Sequence, residues 1–259
     1  MVELMRCFSK LKHRGKKYGE YTIEELAGEG RYGLCFHAKN DRGQNVVLKR
    51  FKPGIFARNL DKNVHEAVIL SKLGDKRIPE LLGVINGKSF YAFVLEFKPG
   101  ITLKDTLFKH DHKFSDEEIF NIGIKIISII KHLHENGVVH RDIRIPNVLV
   151  DQEDVYLIDF GLARFADNNL YKYDLDYSYL GDLLLYLIYS SFQKKDKKSQ
   201  PWYEELPLKE NQKRFLKRLL GLDIVYESIT DIETDFIDSF EIAKDYTKSQ
   251  TNCELKYKD

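Results

Sequence analysis

The chain has 259 residues, 43% apolar and 31% charged, with a formal net charge of +1. That length admits one large domain or two small ones with sizeable cores, and so small a net charge gives no global reason to expect nucleic acid or another polyanion as partner. Cys7, Cys35 and Cys253 are odd in number, far apart and in no C-x-x-C pair, which argues against disulfides or a thiolate zinc site and for a reducing, cytoplasmic setting.

Residues 1–20 form a basic leader, with Arg6, Lys10, Lys12, Arg14, Lys16 and Lys17 around Leu4, Phe8 and Leu11 at helical spacing. No continuous apolar stretch makes it a secretory signal. It reads as a short helix docked on the domain, with weak contact to an anionic membrane surface as the alternative use. The most apolar region of the chain, Leu180 to Phe192, is too short to span a bilayer and contains Asp182.

From Tyr21 to Phe97 short strands dominate: Tyr21–Ala27, Gly33–Ala38, Asn45–Phe51 and two more that end at Phe90–Phe97. Gly28-Glu29-Gly30-Arg31-Tyr32-Gly33 is a G-x-G-x-x-G element. Strand-like Leu34-Cys35-Phe36-His37 follows it, so the glycines belong to a hairpin turn and do not open a helix, as they would in a dinucleotide-binding fold. Such a turn lets backbone approach a phosphate at unusual φ; an ordinary hairpin would use the same residues. Lys49 closes the β-branched run Val46-Val47-Leu48-Lys49, and an ammonium turned inward from a strand requires anions around it. One helix interrupts the strands, roughly Leu60–Leu73, with Val64, Ala67, Val68 and Leu70 on one side.

Beyond Lys98-Pro99-Gly100 the pattern turns helical. Ser115 and Glu118 form a capping box ahead of Ile119, Ile122, Ile126, Ile127, Ile130 and Leu133, and Asn136-Gly137 is a stop. Further helices are expected over Asp176–Ser190, Lys209–Leu220 and Asp231–Tyr246. This gives an α+β class in two lobes, 21–97 and 98–246, with a polar tail at 247–259. Between the first two of the C-lobe helices, Asp142 and Asn147 stand five residues apart in His-Arg-Asp-Ile-Arg-Ile-Pro-Asn-Val-Leu-Val (140–150), and Asp159-Phe160-Gly161 follows twelve residues later.

These two segments resemble the catalytic loop H-R-D-L-x-x-x-N and the metal-binding D-F-G of eukaryotic-type serine/threonine protein kinases. The likeness covers roughly residues 21–230 and is nearest to compact bacterial members with a shortened activation segment. It implies a bilobal kinase fold and use of ATP and Mg2+ to phosphorylate a protein. Asp142 would orient the attacking hydroxyl, Asn147 and Asp159 would hold magnesium, and Arg144 would meet the γ-phosphate where lysine is usual. Lys49 would bind the α/β-phosphates and pair with Glu66 on the helix; Glu80, after Pro79, is a poorer partner. Gly28, Gly30 and Gly33 would cover the phosphates. Leu95 would guard the adenine pocket, backbone of Glu96 and Lys98 would bond the base, and Cys35, Val47 and Leu149 would wall it. Phe160 and His140 correspond to packing residues.

The pattern also departs from the family. No A-P-E tripeptide follows D-F-G, and only fourteen residues separate Gly161 from Asp176, the aspartate expected to brace the catalytic loop. Glu227 stands where an arginine normally pairs with the A-P-E glutamate, so both partners are lost together and no buried charge is left alone. No serine or threonine occurs from Leu162 through Tyr177; Tyr171, Tyr173 and Tyr177 supply its only hydroxyls. A constitutively ordered short loop is expected, with Arg141 meeting Asp167 or Asp174. Lys194, Lys195, Lys197 and Lys198 form a solvated basic patch or a recruiting one. Two other functions stay open: a small-molecule kinase, suggested by the missing peptide platform, and a nucleotide-binding scaffold without turnover.

Overall fold

The computed structural model describes residues 13–30, 33–52, 60–87, 90–167, 169–193 and 200–241. The first part is a six-stranded antiparallel sheet in the order β1-β2-β3-β4-β6-β5. Its strands are β1 (Lys17–Tyr18), β2 (Tyr21–Glu29), β3 (Gly33–Asn40), β4 (Asn45–Phe51), β5 (Leu81–Asn86) and β6 (Tyr91–Glu96). Alternation along β4 sorts the sheet's two faces. Val46 and Leu48 join Ile23, Phe36, Ala38 and Val94 in an outer core, while Val47 and Lys49 point to the opposite side, towards the helical part. Part of the expected leader belongs to this sheet. β1 pairs with β2, and the Tyr18 ring stacks on Phe90 at 3.6 Å. A buried aromatic contact of this kind is sufficient reason for the chain to enter the sheet before residue 21. The helix expected around Leu4, Phe8 and Leu11 lies outside the described residues.

Helix α1 (Leu60–Lys72) packs against β5 and the segment that begins at Phe160. Half of the stripe expected from sequence holds, with Leu70 buried and Ala67 packed against the core, and half is corrected. Val64 and Val68 are half-exposed, and Glu66, Ile69, Leu70 and Leu73 are the buried side. Those four follow the i, i+3, i+4, i+7 spacing of one helical face, and a glutamate can occupy that face because Lys49 meets it there.

The second part contains α2 (Leu103–Phe108), α3 (Asp116–Glu135), α4 (Asp174–Ser191), α5 (Trp202–Glu205), α6 (Glu210–Leu219) and α7 (Ile229–Phe240). Small sheets join β7 (Ile101–Thr102) to β9 (Val148–Asp151) and β10 (Asp154–Leu157), and β8 (Val138–Val139) to β11 (Arg164–Phe165). The capping box of α3 forms as read, with Ser115 N donating to Glu118 Oε2 at 2.8 Å and Glu118 N to Ser115 Oγ at 3.3 Å. Gly137, at φ +70, ends the following turn. α7 starts two residues before the expected Asp231 because Ser228 Oγ accepts the Asp231 N–H at 3.1 Å. It closes at Phe240, where Glu241 turns extended; the expected continuation to Tyr246 enters residues outside those described.

One large apolar cluster runs from Phe51, Ile69, Phe93 and Leu95 of the first part through α3 and α4 to Phe215 and Phe240. The two lobes therefore share a core. Among the described residues no helix is long and apolar enough to cross a membrane.

Candidate active site

The site lies where the inner face of the sheet meets the loops after β8 and β10. Lys49 Nζ sits 2.6 Å from Glu66 Oε1 and 2.6 Å from Asp159 Oδ1. Burial would depress the lysine, but the two carboxylates facing it outweigh that and raise it above its ordinary value. Burial would raise Asp159, yet the Lys49 ammonium and its hydrogen bond hold that carboxyl below the usual aspartate range. Glu66 is the most enclosed of the three, and burial pushes its carboxyl up against the pull of Lys49. The triad ties β4, α1 and the turn after β10 to one point.

Asp142 projects from an extended loop between β8 and β9. Its Oδ2 accepts from Asn147 Nδ2 at 2.7 Å and Arg144 Nη2 at 3.0 Å, and its Oδ1 accepts from Arg144 Nε. Asn147 Nδ2 also donates to the Asp142 carbonyl at 2.9 Å. With its amide nitrogen committed there, Asn147 leaves its carbonyl oxygen for another ligand, and Asp159 leaves Oδ2. Two neutral-to-anionic oxygens suit a hard cation that keeps waters and phosphate oxygens in its remaining positions. Among the described residues no group of three or more His, Cys, Asp or Glu could hold a metal by itself.

The loop is held from below by Asp176 at the start of α4. Fully buried, it accepts the His140 N–H at 2.9 Å, the Arg141 N–H at 2.7 Å and a bond with His134 Nε2 at 3.0 Å. Arg141 and Asp159 both adopt positive φ, at +67 and +65, a conformation costing non-glycine residues about 1–2 kcal/mol that persists only where surrounding bonds impose it. His140 packs edge-to-face on Phe160 at 4.6 Å, and burial lowers its pKa. It is a neutral packing residue.

Beside this triad, Cys35 stands opposite Lys49 and Val47 opposite Leu95 in the strand register, and Leu149 is buried. Burial pushes the Cys35 thiol up to about 11, so it acts as an apolar filler. At the chain crossing, Glu96 N donates to Glu80 O at 2.9 Å, and Lys98 Nζ pairs with Glu96 Oε1 at 2.7 Å while donating to Lys76 O at 2.6 Å. The three loop glycines differ. A Cβ on Gly28 or Gly30 would meet open space, whereas one on Gly33 would lie 2.0 Å from Arg50 O. Gly33 is thus required by packing of β3 on β4, and none of the three uses a positive φ. Arg31 and Tyr32 lie outside the described residues.

Residues 21–221 match the protein kinase domain model. The chain belongs to the protein kinase family. It is 32% identical over 227 residues to the probable serine/threonine-protein kinase YbdM of Bacillus subtilis, covering 83% of this chain and 88% of that one. It is 32% identical over 123 residues to the serine/threonine-protein kinase STY46 of Arabidopsis thaliana, and 30% identical over 150 residues to the serine/threonine-protein kinase RAD53 of Saccharomyces cerevisiae. These matches span 47% and 56% of this chain but only 21% and 18% of those larger proteins. Family membership brings use of ATP with it.

One expectation for the kinase is corrected. Arg141 meets neither Asp167 nor Asp174: its Nη1 donates to Leu162 O at 3.1 Å and its guanidinium lies over the Tyr171 ring at 4.7 Å. Asp167 is engaged elsewhere, accepting the N–H groups of Asn169 at 2.9 Å and Tyr171 at 2.8 Å. Glu227 is exposed, in keeping with the expectation that loss of its usual partner leaves no buried charge. The Lys194–Lys198 patch lies outside the described residues. Sequence reasoning passed over Arg77, which donates from Nη1 to Ser128 Oγ on α3 at 2.9 Å; nothing in its local pattern marks it.

Proposed function

We propose that the protein transfers the γ-phosphoryl group of ATP to a serine or threonine hydroxyl on a protein. The observation that carries this reading is Lys49 within 2.6 Å of both Glu66 and Asp159, which brings an ammonium from one lobe and a carboxylate from the other to one point. In the step, the acceptor oxygen bonds the γ-phosphorus as the bond to the β–γ bridging oxygen breaks, ADP leaves, and the hydroxyl proton passes to Asp142. Lys49 neutralises charge on the phosphates, and Gly28 and Gly30 leave room for them. Arg144, forked onto Asp142, would exchange that partner for the γ-phosphate. Asn147 and Asp159 would hold magnesium, which supplies charge neutralisation when bound. Glu96 and Lys98 backbone, with Leu95, Val47, Cys35 and Leu149, would seat the adenine.

The same reading takes 21–97 and 98–246 as two lobes of one kinase domain and sets the protein in the cytoplasm. A small-molecule acceptor is the second reading, favoured by the fourteen residues between Gly161 and Asp176, too few for an extended peptide platform. Purified protein with radiolabelled ATP separates them. Label should enter the chain or a generic protein acceptor, and Asp142→Ala and Asp159→Ala should each lower the rate by about a hundred-fold or more, the range of a lost general base or charge stabiliser. Label entering only metabolite extracts would support the second reading; tight ATP binding without turnover would leave a scaffold.

A further inference from the structure

The loop between α6 and α7 carries Leu222, Ile224 and Val225 at 58%, 81% and 50% exposure, and Ile224 is the most exposed large apolar side chain described. We infer that this loop is a docking surface for a second copy of the chain, and that it seats the apolar stripe of that copy's basic leader. The inference is independent of the kinase reading, because neither surface belongs to the candidate active site.

Rigidity is the first argument. Leu222 N donates to Lys217 O at 2.8 Å, Arg218 Nε to Ile224 O at 3.0 Å, and Ile224 N to Asp223 Oδ1 at 2.7 Å. The Arg218 guanidinium also lies over the Tyr226 ring at 3.7 Å and pairs with Asp235 of α7 at 3.0 Å. Tyr226 itself is buried against Phe215. Three apolar side chains are therefore held towards water by bonds on their own backbone and on its neighbours. Apolar groups gathered in this way mark an interaction surface, and a loop already ordered loses little entropy when a partner arrives.

Charge identifies the occupant. From Leu219 through Ala243 the chain has seven carboxylates and no Lys, Arg or His. Lys131 and Arg218 answer Glu233 and Asp235, whereas the exposed Asp223 and Glu227, on either side of Ile224 and Val225, form no ion pair among the described residues. A fitting partner is apolar along one line and basic beside it. The leader has that composition: Leu4, Phe8 and Leu11 fall at i, i+4 and i+7, with Arg6, Lys10 and Lys12 among them, the spacing of one helical face. Its first twelve residues lie outside those described. It joins the domain at His13, whose ring meets Phe36 of the outer core at 5.1 Å, and Gly15 N donates to Ile23 O at 2.8 Å. That junction is on the sheet, on the face turned from the helical part, whereas α7 packs on α3 and α6. The two surfaces belong to different lobes, and twelve residues of helix reach only about 18 Å, which favours exchange of leaders between two copies about a two-fold axis.

Sedimentation velocity of the full chain over a range of concentrations tests this. Wild type should show a monomer–dimer equilibrium that weakens as salt is raised. Ile224→Asp, at an exposed position, should raise the dimer Kd about ten-fold or more, the loss expected at an anchor residue. Lys10→Glu/Lys12→Glu and Asp223→Lys/Glu227→Lys should each weaken the dimer about ten-fold by setting like charges against each other. Mixing these two variants should restore it, which also excludes misfolding as the cause of the loss. A wild-type chain monomeric at every concentration, a dimer indifferent to Ile224→Asp, or charge variants that recover only when combined in one chain would overturn the inference. So would a wild-type monomer that uses its leader on phosphatidylserine vesicles and binds them equally well as Ile224→Asp.

Discussion

Lys49 balances two carboxylates with one ammonium, and the three side chains differ sharply in exposure: 13% for Lys49, 2% for Glu66 and 49% for Asp159. Glu66 is therefore the group that depends most on the lysine. Replacing Lys49 by methionine keeps the volume but leaves a buried carboxyl without its cation, a loss of about 3 kcal/mol, which lowers the melting temperature by roughly 10 °C in a domain of this size. The sign of the pH dependence follows from the two shifts. Lys49 is raised above its unfolded value, so its contribution is complete at all pH values below the unfolded lysine pKa and is lost only in strong alkali. Glu66 is also raised, and without Lys49 it rises further, so the variant is penalised most where Glu66 must ionise. Thermal melts of Lys49→Met should show a larger deficit at pH 8 than at pH 5; an equal deficit at both would contradict the role of Glu66 as the stranded group.

At the scale of elements, the short segment after Gly161 is fastened by its own hydrogen bonds and a ring contact. Asp167 N donates to Tyr171 O at 3.2 Å and the Asp167 carboxylate accepts two N–H groups, closing a turn that presents the Tyr171 ring to Arg141. Further on, Tyr173 donates its hydroxyl to His134 O at 3.2 Å, next to the bond between His134 and Asp176. A cation held over a ring contributes about 0.5–2 kcal/mol, enough to bias a short loop. Tyr171→Phe should keep activity within about two-fold because it keeps the ring, whereas Tyr171→Ala should lose about ten-fold in kcat by that energy, with KM for ATP unchanged. An inactive Tyr171→Phe variant, together with phosphotyrosine found there by mass spectrometry, would show that the hydroxyl and not the ring is required. The composition of residues 162–177 already pointed to a loop without Ser/Thr phosphorylation. That Arg141 would choose a ring over Asp167 was not legible there, because the choice depends on the turn geometry that occupies Asp167. Val64 and Val68 of the expected α1 stripe face outward for a similar reason, while Ala67 and Leu70 of that stripe pack on the core. Hydrophobicity favoured Val64 and Val68, but the buried face is selected by the ion pair at Glu66.

For the whole molecule, the lobes are joined by more than the chain crossing near residue 97. Arg77 donates from Nε to Asp75 Oδ1 at 2.9 Å and from Nη1 to Ser128 Oγ on α3, and its carbonyl accepts from Leu157 N at 3.0 Å. Lys98 bonds the neighbouring Lys76 carbonyl. The hydrogen bonds from Arg77 hold the Asp75 carboxyl down at about 2. A depressed acid stabilises the fold above its unfolded pKa and loses that contribution as pH falls through the folded value. Asp75 therefore contributes about 2 kcal/mol above pH ~4, disappearing between roughly pH 4 and pH 2. Asp75→Asn should unfold at lower urea than wild type at pH 7, and the gap should narrow steadily below pH 4. A gap independent of pH would place the effect in packing and not in the ion pair.

The sequence by itself determined the family, the α+β class and the capping of α3, because those features are local: a motif, a periodicity, a cap three residues from its partner. Tertiary structure alone decided that residues 17–18 join the sheet, which face α1 buries, what Arg141 meets and how Arg77 bridges the lobes. Each of these depends on a partner tens of residues away whose position is set by packing, and a side chain's best available partner cannot be known until the competing ones have been placed.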